Sequence, residues 1–534
     1  MNSDEIETEF NDVKNAINNL FLHGVPVASG VGDHVVRSYI KNRYKLVNIM
    51  HDNEGMDLSF IDQKFIDVAK GGFKSIAAAT LGYNEHLPSS PSPRSQYIKS
   101  VASNKNPKIF SPFTGCVENV RISLGFEWVF HRVDDKYCLA SQMGNVMVFV
   151  GLETLWVFPQ NETILYVDNG ISIDEIYNRV SGTIFTCLNK SDRVANHISK
   201  NRDKTDLRLG ISDFDCPHMS HNLWNLQTGW ANTLMEYNSD HFEKILTFSD
   251  QNFFGNVNEL FDEEIASSTN LAFVRSVDEI QNYILDEDLF LLAVKDEHFT
   301  KKFTDRILRE AYKNAGDDFV NEARTFREKC DLIVLTTVRL DNRSWIEQTE
   351  GLSSLFNALK KRYPGMGVII DGLSSDTVKG WTTHWMNVNS DLQVAEDIKS
   401  KMDAETPLMF AVGRRFCESI VLMDICDLFI APSGSGMGIY KWVCNKPGLA
   451  FSNRSVVDEA SQLKWPLRVW HDKTFRPDVT TTRHVPVHMI TDGAIAREHV
   501  TRANFHLDWR DLLKESISFI DEFFPNVTKT DEVL

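Results

Sequence analysis

The sequence predicts an α/β protein of two domains, with an α-rich N-terminus and a β-rich insertion near residues 116–158. Three observations carry that expectation. The chain has 534 residues, more than one ordinary hydrophobic core organises. From Asp331 onward, short apolar runs alternate with longer amphipathic ones, as in parallel βαβ units wound on both faces of a sheet. Residues Cys426 to Phe451 read CDLFIAPSGSGMGIYKWVCNKPGLAF, an apolar run, a small-residue turn, a helix-compatible segment, a second turn and another apolar run.

The elements follow in order. The start, MNSDEIETEFNDVKNAINNLF, is acidic and amphipathic and lacks the basic start and apolar centre of a signal peptide. His86 to Pro107 is rich in Ser, Pro and Lys and reads as a loop. Gly125 to Pro159 is strand-like: FEWVFHRV and KYCLAS flank a hairpin turn at Asp134-Asp135, and NVMVFVGL and TLWVF follow. TILYVDN, TIFTCLN, KILTFS, LAFVRS and LFLLAVK read as buried strands, and His298 to Lys329 as helical. Beyond it DLIVLTTVRL, GVIIDGL, PLMFAVG, DLFIAPSG and PGLAFSN read as strands. The helices between them include Glu347 to Arg362, with Leu352, Leu355, Phe356 and Leu359 on one stripe, and Phe416 to Cys426. Phe505 to Phe524 reads as a helix that packs back across the domain junction. The expected divisions are residues 1–110, helical and loop-rich; 111–325, a β-rich and α/β acceptor domain; 326–505, the ligand-binding α/β domain; and 506–534, the terminal helix.

Composition is that of a globular enzyme, 42% hydrophobic and 24% charged. A net charge of -18 argues against a nucleic-acid partner, which calls for a basic face. No apolar run approaches the ~18 residues that span a bilayer, and the eight scattered cysteines, without a CxxC pair, read as reduced thiols. Both features point to the cytoplasm.

Three loops at predicted strand ends carry chemistry, and ligands of open α/β sheets bind at that edge. The Ser/Gly turn comprises Ser433, Gly434, Ser435, Gly436, Met437 and Gly438, with Lys441 three residues on. It leaves backbone N–H groups pointing outward at a helix start, a cradle for phosphate that larger side chains would block. It matches neither GxxxxGK[ST] nor GxGxxG spacing. A tight packing turn is the alternative. Arg339 and Arg343, four apart at a strand end, could clamp a diphosphate, or Arg343 could pair with Asp341 or Glu347. Gly413, Arg414 and Arg415 precede Glu418, which would accept ribose hydroxyls or simply favour a helix N-terminus. In the first half, Asp213 to Asn225 packs Asp213, Asp215, His218 and His221 around Pro217. That segment could supply a general base or cap a helix; a metal site is conceivable there, but HxxH spacing alone is a weak signal and no HExxH occurs.

On these residues the second half resembles glycosyltransferases of the GT-B architecture, in which two Rossmann-like domains face a cleft and the C-terminal one holds a nucleotide-sugar. TTVRLDNRSW is similar to the arginine loop of the fucosyltransferase-like and heptosyltransferase-like branches, and SGSGMGIYKWVCNKPGLAF to their donor-phosphate segment. The resemblance spans roughly Asp331 to Arg454. Thr337 stands before Val338-Arg339 where a His-x-Arg pattern is usual, and the late loop lacks Asp-Thr-Gly-x-x-His. The resemblance implies metal-independent transfer of a hexosyl or deoxyhexosyl group from a nucleotide-sugar to a glycan or protein acceptor. Arg339, Arg343, Lys441 and the turn amides would neutralise the leaving diphosphate, and the 213–221 segment would provide the base of an inverting reaction. A nucleotide-sugar epimerase of the same architecture and a non-catalytic carbohydrate-binding protein are the alternatives.

Overall fold

A computed structural model of the chain describes residues 3–27, 31–51, 56–83, 93–125, 128–141, 155–167, 172–204, 206–213, 219–237, 239–248, 253–265, 270–296, 299–340, 342–375, 387–461, 481–493 and 503–530. The chain divides into two compact units. The first comprises Met1–Asp215, Asn225–Ser249 and Phe261–Asp296; the second comprises Cys216–Trp224, Asp250–Leu260 and Glu297–Leu534.

Among the described residues the first unit holds a six-stranded and a four-stranded sheet, besides a two-stranded ribbon of Lys108–Phe110 with Val117–Asn119. Strands β1 (Lys45–Asn48), β2 (Ile122–Gly125), β3 (Trp128–Val133), β4 (Lys136–Ser141), β5 (Leu155–Phe158) and β6 (Thr163–Tyr166) lie in the order β1-β6-β5-β4-β3-β2. Only the β1/β6 pair is parallel. The expected hairpin at Asp134-Asp135 joins β3 to β4, with Asp134 in the left-handed region at φ 52°. The segment NVMVFVGL lies outside the described residues. Helices α1 (Ser3–Phe21), α2 (Asp33–Arg43) and α3 (Ile173–Asn189) bury Phe21, Ile40 and Ile184 against this sheet.

One expected strand is a helix instead. TIFTCLN is the last part of α3, and the cause lies eleven residues upstream. Ser172 accepts from the Glu175 N–H as N-cap, Asp174 and Glu175 fill the first turn, and Ile176, Val180, Ile184 and Leu188 bury one face. Helical spacing over seventeen residues outweighs the strand propensity of a short β-branched run. The second sheet, β7 (Arg208–Ser212), β8 (Lys244–Phe248), β9 (Leu271–Val274) and β10 (Leu289–Ala293), is parallel throughout in the order β9-β8-β7-β10.

The continuous stretch of the second unit, from Glu297 onward, opens with α4 (Lys301–Ala315) and α5 (Asp317–Glu328), divided at Gly316. Its sheet contains β11 (Leu332–Thr337), β12 (Met366–Asp371), β13 (Leu408–Phe410), β14 (Leu428–Pro432), β15 (Gly448–Phe451) and β16 (Thr482–His484). All neighbours are parallel, in the order β13-β12-β11-β14-β15-β16. The chain therefore winds outward from β11 to β12 and β13, then returns to the other side of β11 as β14 and continues to β15 and β16. The order reverses between β11 and β14, the position where a doubly wound sheet leaves a crevice at its carboxyl edge. Helices α6 (Gln348–Arg362), α7 (Val388–Lys401) and α8 (Phe416–Ile425) make the crossovers; a short π-type helix, Gly438–Val443, joins β14 to β15. The predicted stripe of Leu352, Leu355, Phe356 and Leu359 is buried in the core of this unit.

The terminal segment begins as a strand rather than a helix. Strand β18 (Phe505–Leu507) pairs with β17 (Ile490–Asp492), and helix α9 (Trp509–Phe523) starts only after Asp508, whose side chain accepts from the Arg510 N–H. Helix α9 packs on α6 within the second unit, where Arg362 Nη2 meets Asp521 Oδ2 at 2.7 Å and Phe519 and Ile520 are buried. Among the described residues no helix is long and apolar enough to cross a membrane, and the described cysteines are free thiols.

The loop after β11 is held from behind by one close contact. The Trp345 ring lies so tightly on α6 that a Cβ at Gly351 would stand 2.1 Å from Cη2, while Trp345 Nε1 donates to Leu507 O at 3.0 Å. Gly351→Ala is therefore expected to destabilise the protein by about 1–3 kcal/mol through overpacking. Urea unfolding checks this; an unchanged midpoint would mean the indole moves aside without strain.

Candidate functional site

At the reversal, β11 delivers Thr337, Val338 and Arg339. The Val338 N–H donates to Asp371 O at 2.9 Å, continuing the ladder with β12. A reciprocal amide pair then fixes Arg339: its N–H donates to Gln348 Oε1 at 3.1 Å, and Gln348 Nε2 donates to Arg339 O at 3.0 Å. The guanidinium donates from Nη2 to Asn342 Oδ1 at 2.8 Å and from Nε to Asn342 O. Arg343 takes the left-handed conformation, φ 53°, and its Nε donates to the same Asn342 Oδ1 at 3.2 Å. Asn342 thus gathers both arginines. Asp341 lies outside the described residues.

Strand β14 delivers the Ser/Gly turn. The Ser433 N–H donates to Phe451 O at 2.8 Å, and Met437, Gly438 and Ile439 donate to Gly434, Ser435 and Gly436 carbonyls at 3.1, 3.0 and 2.9 Å. Among the described residues, the amides of Gly434, Ser435 and Gly436 find no acceptor. Ser435 is exposed and its neighbours half-buried, so these three N–H groups form an open nest. A Cβ at Gly434 would stand 2.4 Å from Arg339 Nη1. The guanidinium and the nest therefore lie side by side, and a side chain at Gly434 would push the guanidinium away from its present place.

A residue that sequence reading passed over completes this corner. Asp371 ends β12 fully buried; its Oδ2 stands 3.5 Å from Thr337 Oγ1, and its Oδ1 has no hydrogen-bond partner. Burial pushes its carboxyl up to about 7, with Asp391 adding to the rise and the Gly372 N–H opposing it. Tyr440, wholly buried beside it, has its phenol pushed well up by burial. The signal in the sequence was a carboxylate closing the apolar run VIID at a strand end.

The Gly413 loop is elsewhere. It follows β13, the outer strand, and its charges are engaged locally. Arg414 Nε donates to Phe410 O at 2.8 Å, and the guanidinium lies 4.8 Å above the Phe319 ring. Arg415 donates from its N–H to Glu418 Oε2 at 3.1 Å and from Nη2 to Glu418 Oε1 at 2.9 Å and to Ala315 O at 3.0 Å. Gly413 turns with φ 77° and donates to Leu373 O at 2.8 Å. Glu418 thus caps its own helix. Lys441, expected at the phosphates, is fully buried and directed the other way: Nζ donates to Thr481 Oγ1 at 2.9 Å and lies 3.4 Å from Lys446 O, both before the amino ends of β16 and β15. The turn winds Lys441 under the sheet rather than toward the open amides.

In the first unit Asp213 follows β7, where the order of that sheet also reverses, between β7 and β10. It is buried and accepts from Thr247 Oγ1 at 2.6 Å and the Phe248 N–H at 3.0 Å. Burial nevertheless pushes its carboxyl up to about 7. His221 belongs to the second unit, stacked on Trp224 at 6.1 Å and 20°. Asp215 and His218 lie outside the described residues. Among the described residues, no three His, Cys, Asp or Glu side chains gather in a metal-holding arrangement.

No family model matches the chain, and no curated protein matches it. Among solved structures it is similar to the glycosyl transferase family 9 protein from Veillonella parvula DSM 2008, at 9% identity and a TM-score of 0.32, over 60% of this chain and 99% of that one.

The buried carboxyl of Asp371 sets a pH dependence. Below the ordinary value of 3.8 it is protonated in folded and unfolded chains alike. As pH rises toward 7 the unfolded chain releases the proton while the folded chain holds it, so stability falls across that window. Asp371→Asn removes this loss. Its unfolding midpoint should exceed that of the parent by a margin that grows from pH 4 to pH 8; a margin independent of pH would show that the carboxyl is not raised.

Proposed function

We propose that the protein is a glycosyltransferase whose second unit holds the diphosphate of a nucleotide-sugar at the β11/β14 reversal. The observation that carries this reading is the contact of the Arg339 guanidinium with Gly434, beside three amides without an acceptor. A fork of N–H donors and a row of backbone N–H groups match the oxygens of a diphosphate. Both are preorganised, Arg339 by Gln348 and the amides by the turn that follows.

In this mechanism the turn and Arg339 neutralise the charge that develops on the leaving diphosphate, with Arg343 beside them, the role a divalent cation plays in other transferases. No metal or cofactor is required. Lys441 drops out, because its ammonium is engaged on the opposite edge. The acceptor is a hydroxyl of a glycan or protein.

A screen of nucleoside diphosphates and nucleotide-sugars by thermal unfolding tests the reading. A cognate nucleoside diphosphate at a hundredfold excess over its dissociation constant should stabilise the folded state by ~2.7 kcal/mol. Arg339→Ala should abolish most of that shift. Undiminished stabilisation in the variant would remove the phosphate from this corner. Interconversion of a nucleotide-sugar without any acceptor would replace transfer by epimerisation.

A further inference from the structure

Three polar side chains on adjacent strands of the second sheet end in atoms shielded from water and without a hydrogen bond: Ser433 Oγ, Ser452 Oγ and both ring nitrogens of His484. Ser433 follows β14, Ser452 follows β15 and His484 closes β16, so all three stand at the carboxyl edge. The register sets them on one face. Pro432 is opposite Phe451, and the Ser433 N–H reaches Phe451 O at 2.8 Å, which makes Ser433 and Ser452 lateral neighbours. Ala450 is opposite His484, and residues two apart on a strand share a face, so the imidazole lies diagonal to the Ser452 hydroxyl. With neighbouring strands about 4.8 Å apart, the row spans roughly 10 Å. It starts beside Gly434, against which the Arg339 guanidinium lies.

Buried polar groups of folded proteins are nearly always paired, and a run of three that are not marks a place completed from outside. None of the three carries charge near neutral pH: two are hydroxyls, and burial lowers the affinity of the His484 ring for a proton. Each can both donate and accept. That suits hydroxyl groups of an uncharged ring and gives nothing to a phosphate, which the nest and Arg339 already serve.

We propose that Ser433, Ser452 and His484 form a subsite for an uncharged hydroxyl-bearing ring attached to the diphosphate, with His484 as its positioning residue. The ring is either the ribose or the transferred sugar, and the subsite rests on the diphosphate reading for its place beside the turn.

Calorimetric titrations with inorganic pyrophosphate, free nucleosides and nucleotide-sugars test it on the wild-type chain and on His484→Ala and Ser452→Ala. Each variant should weaken nucleotide-sugar binding roughly 3- to 10-fold and leave pyrophosphate unchanged. Equal loss of free nucleoside binding assigns the ring to ribose; loss confined to the nucleotide-sugar assigns it to the sugar. Unchanged affinity, or the same loss for pyrophosphate, overturns the subsite. Should a variant fail to fold, the ring signals of His484 in the wild-type protein decide by NMR: if no nucleoside or nucleotide-sugar moves them, the subsite is wrong. If one does while pyrophosphate does not bind, the subsite stands and the diphosphate reading falls.

Discussion

The constraint on which the second unit depends is the reversal of strand order in an all-parallel sheet. Every parallel connection must carry the chain back over a face of the sheet, and right-handed crossovers to opposite sides of β11 diverge. The carboxyl ends of β11 and β14 are therefore adjacent in the sheet while the segments that leave them part. Arg339 leaves one end and the Ser/Gly turn the other, ninety-odd residues later in the chain. What holds the corner in shape is equally non-local: Gln348 from α6 clasps the Arg339 backbone, and Trp345 reaches β18.

Each unit keeps a carboxyl dry at the end of a strand of its own parallel sheet. Asp371 is without a partner on one oxygen, and Asp213 in the first unit has donors from Thr247 and Phe248, yet burial raises both carboxyls to about 7. The two cases separate desolvation from pairing: hydrogen bonds to Asp213 do not restore an ordinary carboxylate, because removal of water from the charged form is the larger effect. Such groups weaken the fold they belong to. The apolar core between β11, β12, β14 and helices α6 and α9 supplies the stability that tolerates them.

Much of the fold was legible because its signals are local. The strands β11 to β15 and helices α6 and α8 follow from apolar periodicity, and the hairpin at Asp134-Asp135 from turn residues between alternating runs. Where a local signal was read over too short a window it misled: TIFTCLN has strand propensity, but Ser172 starts a helix eleven residues earlier that runs through it. Phe505 to Leu507 shows the reverse: its apolar residues run on into helical spacing, but Asp508 starts the helix and the three residues before it pair as a strand.

By itself the sequence determined the alternation of elements, the small residues of the turn and the presence of arginine at a strand end, each a matter of neighbours within a few positions. Which loops share a corner was decided by strand order alone. It joined Arg339 to Gly434, carried Gly413 to Glu418 to the outer strand β13, and lined up Ser433, Ser452 and His484 across three strands. Strand order is set by how crossovers pack over a common core, a sum over residues far apart in the chain. A local pattern carries no record of it.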